Sequence, residues 1–187
     1  MENIFLWYAS RATGLVALVL LTLVVVLGIL GSLRVATRSF QRFAVAAIHR
    51  NIALVTLAFL AVHIVSGVVD TFVDINWPDA VIPFGSAYRP VWLGLGTAAF
   101  DILVALVITS LLRPRINPRL WRAVHWAAYA CWPLALVHGL GTGTDSRSGW
   151  PLVLLLTCLG IVATAVVARL ISAREYADGQ PAARRAP

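Results

Sequence analysis

Charged residues are scarce in this 187-residue chain: they make up 12% of it, whereas hydrophobic residues make up 60%. A typical soluble domain has about 25% charged residues, so most of this chain cannot be solvated by water. The mean hydropathy of +0.85 points the same way. The shortage of charge excludes an ordinary soluble protein and indicates an integral membrane protein.

Several sequence motifs are also missing. The chain has no Gly-x-Gly-x-x-Gly fingerprint, no P-loop and no recognisable nucleic-acid-binding module. It also lacks the Cys-x-x-Cys-His sequence that attaches c-type haem covalently. Its two cysteines, Cys131 and Cys158, lie inside apolar segments, where we expect small buried hydrophobes rather than a disulfide or a redox pair.

The chain does contain long apolar runs. Each exceeds the ~10 residues of a membrane strand, and backbone polar groups in lipid must bond internally, so we predict helices. The sequence predicts an all-α integral membrane bundle of five transmembrane helices in one domain, residues 7–173, followed by a short disordered cytoplasmic tail, residues 174–187. The predicted spans are Ala12–Leu33, Ala44–Val69, Val91–Leu112, Leu120–Leu140 and Trp150–Ile171.

The arginines set the predicted orientation. They concentrate after the first and third spans and in the tail, which the positive-inside rule assigns to the cytoplasm, whereas aspartates predominate after the second and fourth spans. The N-terminus is then outside and the C-terminus cytoplasmic, so the net charge of +7 reflects topology rather than a nucleic-acid partner. The residues concerned are Arg34, Arg38, Arg42, Arg113, Arg115, Arg119, Arg174, Arg184, Arg185, Asp70, Asp74, Asp79 and Asp145.

All four histidines lie in the apolar segments, as two pairs. His49 and His63 are 14 residues apart, and His125 and His138 are 13 residues apart. At about 1.5 Å per residue, each pair spans about 20 Å along a helix. Two parallel helices would then offer one imidazole each at an inner level and one each at an outer level. A bilayer core of ~30 Å has room for both levels.

This spacing favours two haems over a single metal site. A zinc or copper ion gathers its ligands into one shell, but same-helix histidines are here about 20 Å apart. A bis-imidazole haem takes one axial ligand from each of two facing helices. Without a covalent attachment motif, both haems would be b-type. The alternative is that the histidines serve helix packing or interfacial anchoring.

Ideal helix geometry accommodates only the first pair. At ~100° per residue, His49 and His63 lie within about 40° of each other, whereas His125 and His138 are about 140° apart. The fourth span must therefore be retwisted. Pro133 lies between its two histidines and removes a backbone hydrogen bond, so it is the predicted cause.

The histidine spacings, on two helices separated by one intervening span, resemble the ferric reductase-like transmembrane domain. NADPH oxidases, ferric-chelate reductases and the haem-bearing membrane subunit of bacterial methionine-sulfoxide reductase systems share it. The stretches His49-Arg50-Asn51 and Trp121-Arg122-Ala123-Val124-His125 add to the similarity. The resemblance implies that His49 and His125 ligate an inner haem iron and that His63 and His138 ligate an outer one. It also implies a multi-pass protein of the cell membrane, here a bacterial plasma membrane.

The chain departs from this family in two ways. Its members usually have six spans, and the first is missing here. About 15 residues follow the last predicted span, too few for a flavin or nicotinamide domain of on the order of 100 residues. We therefore expect two b-type haems, no FAD or NADPH site, and a separate electron donor, either a cytosolic flavoprotein or a quinol.

The predicted role is that of a transmembrane electron-transfer subunit of an oxidoreductase. The extracytoplasmic acceptor stays open among ferric chelates, oxygen, quinone and a partner protein, and no catalytic residue is predicted. The alternative is a haem-free proton-coupled transporter or assembly factor that uses intramembrane histidine and aspartate.

Four further polar residues are candidates for the site. Arg11 resembles the outer-haem arginine of the oxidases and would bind a haem propionate or an anionic acceptor, unless it is a snorkelling interfacial residue. Arg50 and Arg122 would bind inner propionates or act only as cytoplasmic anchors. Asp101 would relay protons or orient a haem ligand, or else form a packing hydrogen bond. The outer loop, residues 70–90, would cap the outer haem, dock an acceptor protein or form an aromatic belt.

Overall fold

The computed structural model describes residues 4–32, 42–143 and 146–178. Within these ranges the chain forms helices and no strand, which confirms the all-α prediction for the described part. The helices are α1 (Ile4–Ser32), α2 (Arg42–Val69), α3 (Pro90–Leu111), α4 (Pro118–His125), α5 (Ala128–Thr142) and α6 (Gly149–Asp178), with short 3-10 turns at Trp77–Ala80 and Arg113–Arg115. Arg34, Arg38, Asp145, Arg184 and Arg185, which contribute to the predicted orientation, lie outside the described residues.

In the part of the chain that the structure describes, four helices are long and apolar enough to cross a membrane. They cover Ile4–Ser32, Phe43–Val69, Pro90–Leu111 and Gly149–Arg174. The first begins earlier than the predicted Ala12, and α6 continues to Asp178, so residues 174–178 of the predicted tail are helical. Residues 179–187 of that tail lie outside the described residues. The count of five spans and the orientation of the termini stay predictions.

The predicted span Leu120–Leu140 is not one continuous helix, and that prediction is wrong. The chain turns at Trp126 and Ala127, between α4 and α5. The amide of Ala127 bonds to the carbonyl of Val124 at 2.9 Å, and that of Ala130 bonds to Ala127 at 3.0 Å. These are the i to i−3 bonds of a 3-10 turn, which is wound more tightly than an α-helix. The two halves also differ in polarity, since α4 carries Arg119, Arg122 and His125 whereas α5 is apolar apart from His138 and Thr142.

The central core joins α1, α3, α5 and α6. Leu18, Leu103, Trp132 and Leu155 are all buried there. The indole N–H of Trp132 donates to Oγ1 of Thr22 at 2.9 Å and so links α5 to α1. Cys131 and Cys158 are free and buried in the same core, which confirms their predicted role as small hydrophobes. In lipid, such close packing and interhelical hydrogen bonds hold the helices together.

Helix α2 stands to one side of this core. It packs mainly against α1, and α5 packs against α3 and α1, whereas α2 and α5 make no extensive contact with each other. Apolar side chains on α2, such as Leu54 and Val62, are exposed and form a surface suited to lipid. We call the end of the bundle that holds His49 and His125 the inner end, and the end that holds His63 and His138 the outer end.

Candidate functional site

The four histidines meet across the space between α2 and the α4–α5 segment, in the predicted pairs. The ring centroids of His49 and His125 are 6.3 Å apart, with an interplanar angle of 58°. Those of His63 and His138 are 6.2 Å apart, at 84°. All four side chains are half-buried. Two equally spaced imidazole pairs therefore lie at two levels of one bundle.

The turn between α4 and α5 brings the second pair into register. Trp126 has ψ of −24° and Ala127 has ψ of −16°, close to the 3-10 geometry. A 3-10 residue advances about 120° rather than 100°, so each such residue reduces the 140° offset between His125 and His138. The predicted retwist is therefore present in part at Trp126 and Ala127. Pro133, its predicted cause, lies within α5 after this turn, and its own contribution stays a prediction.

Three of the imidazoles are held by backbone carbonyls of neighbouring helices. Nδ1 of His49 lies 3.0 Å from the oxygen of Val24, Nδ1 of His63 lies 2.7 Å from that of Ser10, and Nδ1 of His138 lies 2.9 Å from that of Trp92. A carbonyl only accepts, so Nδ1 carries the proton and donates it. Nε2 of each ring then keeps its lone pair and is available to a metal.

Glycines allow these rings to lie directly against the neighbouring helices. A Cβ at Gly14 would lie 2.9 Å from Cε1 of His63, and one at Gly96 would lie 2.6 Å from Cε1 of His138. At Gly28 the nearest atom, Cε1 of His49, is 3.5 Å away. Helix α1 thus presents a glycine to each histidine of α2. Sequence analysis missed these contacts, although Gly14 and Gly28 have the same 14-residue separation as His49 and His63.

A cavity of about 310 Å³ opens beside the outer pair. Its lining includes His63, His138 and Arg11 together with Asp79 and Tyr88 from the outer loop. The guanidinium carbon of Arg11 lies 5.1 Å from the ring centroid of Trp7, which also lines the cavity. Arg11 is therefore beside the outer pair, as its proposed role requires.

The outer loop is tied down over this cavity. The hydroxyl of Thr97 donates to the carbonyl of Asp79 at 2.8 Å. Nη1 of Arg89 donates to the carbonyl of Gly141 at 2.7 Å, near the C-terminal end of α5. Long Arg side chains commonly satisfy such terminal carbonyls. These bonds fix the loop as a wall of the outer cavity; whether it docks an acceptor protein stays a prediction.

The other candidates lie farther from the imidazoles. Arg50 and Arg122 are exposed at the inner end. Arg50 directly follows His49 in the sequence, and Arg122 precedes His125 by three residues. Asp101 does not line the outer cavity, and none of the hydrogen bonds among the described residues involves it. Backbone carbonyls rather than Asp101 bond to His49, His63 and His138, and the proton-relay role of Asp101 stays a prediction.

The two imidazole pairs suit a metal ion whose other ligands come from a cofactor rather than from the protein. Among the described residues, no group of three or more His, Cys, Asp and Glu side chains is placed to hold a metal ion. Two facing imidazoles can complete the coordination of a metal that is already held in a planar ligand. Two metal–imidazole bonds of about 2 Å each, in line, put the ring centroids about 6 Å apart. Both observed pairs have this spacing, and a macrocycle with two open axial positions matches it.

Comparison with known families agrees with this arrangement. Residues 13–136 match the family described as ferric reductase-like transmembrane component. The chain belongs to that family. The matched part holds His49, His63 and His125 and ends just before His138. No curated protein and no solved structure matches the chain.

Membership in the ferric reductase-like family, with four apolar helices of spanning length, makes this protein a multi-pass transmembrane redox component. The matched range lies inside the predicted domain of residues 7–173.

Proposed function

We propose that this ferric reductase-like protein is a dihaem b-type cytochrome. It carries electrons across the cell membrane from a cytosolic flavoprotein or a quinol to an extracytoplasmic acceptor. The proposal rests on two facing pairs of imidazoles at two levels of the bundle. The two ring centroids are 6.3 Å apart in the inner pair and 6.2 Å apart in the outer pair. His49 and His125 would hold the inner haem, and His63 and His138 the outer haem.

The protein's own residues orient and shield the two haem sites. The carbonyls of Val24, Ser10 and Trp92 fix the ring planes of three ligands and present Nε2. Arg11 would bind an outer propionate, and Arg50 and Arg122 would bind inner propionates. The tied outer loop limits the access of water to the outer site. Haem held by these four histidines would supply one-electron chemistry suited to electron transfer.

A visible spectrum of the purified protein tests the proposal. We expect sharp reduced alpha bands of low-spin b-type haem and two haems per chain by the pyridine haemochrome assay. A correctly folded preparation that contains no haem would instead favour the haem-free proton-coupled transporter or assembly factor.

The inner end suggests how a donor binds. The segment 111–123 carries Arg113, Arg115, Arg119 and Arg122 and no acidic residue, and all four arginines are exposed. An acidic flavoprotein would be steered to such a surface, and salt would screen this attraction beyond ~8 Å at physiological ionic strength. The competing interpretation is that these arginines only set topology.

Reduction kinetics distinguish these interpretations. We expect NADPH alone not to reduce the haems, and NADPH with an acidic flavin reductase to reduce them about tenfold faster at low than at physiological salt. The double variant Arg115→Glu and Arg119→Glu should abolish the salt dependence while the haem spectrum is unchanged. Rapid reduction by a quinol, insensitive to these charge reversals, would move the donor site into the membrane.

A further inference from the structure

His125 differs from the other three histidines. Its Nδ1 is buried and has no hydrogen-bond partner within the described part of the chain. A buried nitrogen without a partner costs free energy, and no hydrogen bond at Nδ1 fixes the plane of this ring. His49, the partner of His125 at the inner level, donates a hydrogen bond to a backbone carbonyl. Among the described residues, His125 has no such bond.

The ring of Trp121 lies against His125 instead. The two ring centroids are 4.7 Å apart and the rings are inclined by only 23°, which is a stacked arrangement. The residues are four apart on α4, so the helix puts both side chains on one face. Stacked aromatic pairs stabilise each other beyond the effect of the area that they bury.

Trp121 is itself held by two residues that precede it in the sequence, Ser110 and Arg113. Its indole N–H points to Oγ of Ser110 at 3.4 Å, near the end of α3. The guanidinium carbon of Arg113 lies 4.4 Å from the ring centroid, within cation–π range. The indole is thus fixed to the 3-10 turn and to α3, whereas α4 ends at His125 itself. The position of the His125 ring therefore depends on this stack.

We propose that Trp121 is the positioning residue of the inner site, where it orients His125 by stacking in place of a hydrogen bond to Nδ1. The inference rests on the proposed haem ligation by His125. The two sites then differ in kind: both outer ligands are oriented by carbonyls, and the inner pair combines one carbonyl-bonded and one stacked imidazole. An imidazole without the Nδ1 hydrogen bond is a less basic ligand, so the inner haem should be the more easily perturbed.

Three variants test the role of Trp121. Trp121→Ala removes the stack, and Trp121→Phe keeps an aromatic face but lacks the N–H. Trp150→Ala is the matched control, because Trp150 is exposed and lies on α6, which carries none of the four histidines. Each variant is purified as full-length protein and studied by haem titration and by electron paramagnetic resonance, with the outer haem as an internal measure of correct folding.

We expect Trp121→Ala to weaken inner haem binding about 10- to 100-fold, the usual effect of losing a group that orients a metal ligand, and to shift the low-spin signal of that haem alone. Trp121→Phe should restore most of the affinity and the signal, and Trp150→Ala should match wild type.

Three outcomes would overturn the inference: an unchanged inner haem in Trp121→Ala, an equal loss in Trp121→Phe, or an equal loss in Trp150→Ala. Failure of the proposed function is distinguishable, because wild-type protein would then contain no haem at all.

Discussion

Replacing His63 or His138 by alanine is expected to halve the haem content, from two haems per chain to one, by removing the outer haem alone. Each haem depends on both imidazoles of its own pair, and the pairs are about 20 Å apart along the helices, so the losses should be independent. The remaining haem should keep the redox potential and the low-spin signal of the inner site.

The inner histidines provide the matched control. His49→Ala and His125→Ala should remove the inner haem and leave the outer one. The two sets of variants can be told apart by potentiometric titration, because each set leaves a single transition. The pairing would be wrong if His63→Ala and His125→Ala removed the same haem.

Adding one methyl group at Gly96 is expected to weaken outer haem binding by about 5- to 150-fold. A Cβ there would lie 2.6 Å from Cε1 of His138, so the ring must move away from its carbonyl partner, Trp92. Overpacking of this kind costs about 1–3 kcal/mol, and each 1.4 kcal/mol is a tenfold change in affinity. Helix propensity cannot cause the loss, since alanine favours a helix more than glycine.

Other glycines provide a graded comparison. Gly14→Ala should also weaken the outer haem, because its Cβ would lie 2.9 Å from Cε1 of His63. Gly28→Ala should have little effect on the inner haem, since 3.5 Å is ordinary van der Waals contact. Gly160→Ala, with no atom within 4 Å, measures the effect of substitution alone. Equal losses at Gly28 and Gly96 would contradict this account.

Prediction and structure agree best for features that depend only on helix geometry and on the hydropathy of each segment. The rise per residue of a helix fixes the distance between His49 and His63, and lipid forces apolar runs to be helical, so the two levels follow from spacing alone. The differences concern contacts between residues distant in sequence and one local turn. Pro133 was the visible candidate for the retwist, but the turn lies at Trp126 and Ala127, where no residue type announces it.

The sequence by itself determined the all-α class, the apolar character of the helices and the two levels of histidines, because hydropathy and helical spacing depend only on the order of residues. Tertiary structure decided which atoms hold each ring. The carbonyls of Val24, Ser10 and Trp92, the glycines of α1 and α3, and the stack of Trp121 on His125 arise where separate helices or turns meet. Such contacts depend on the rotation and depth of each helix against its neighbours, which packing sets and composition does not.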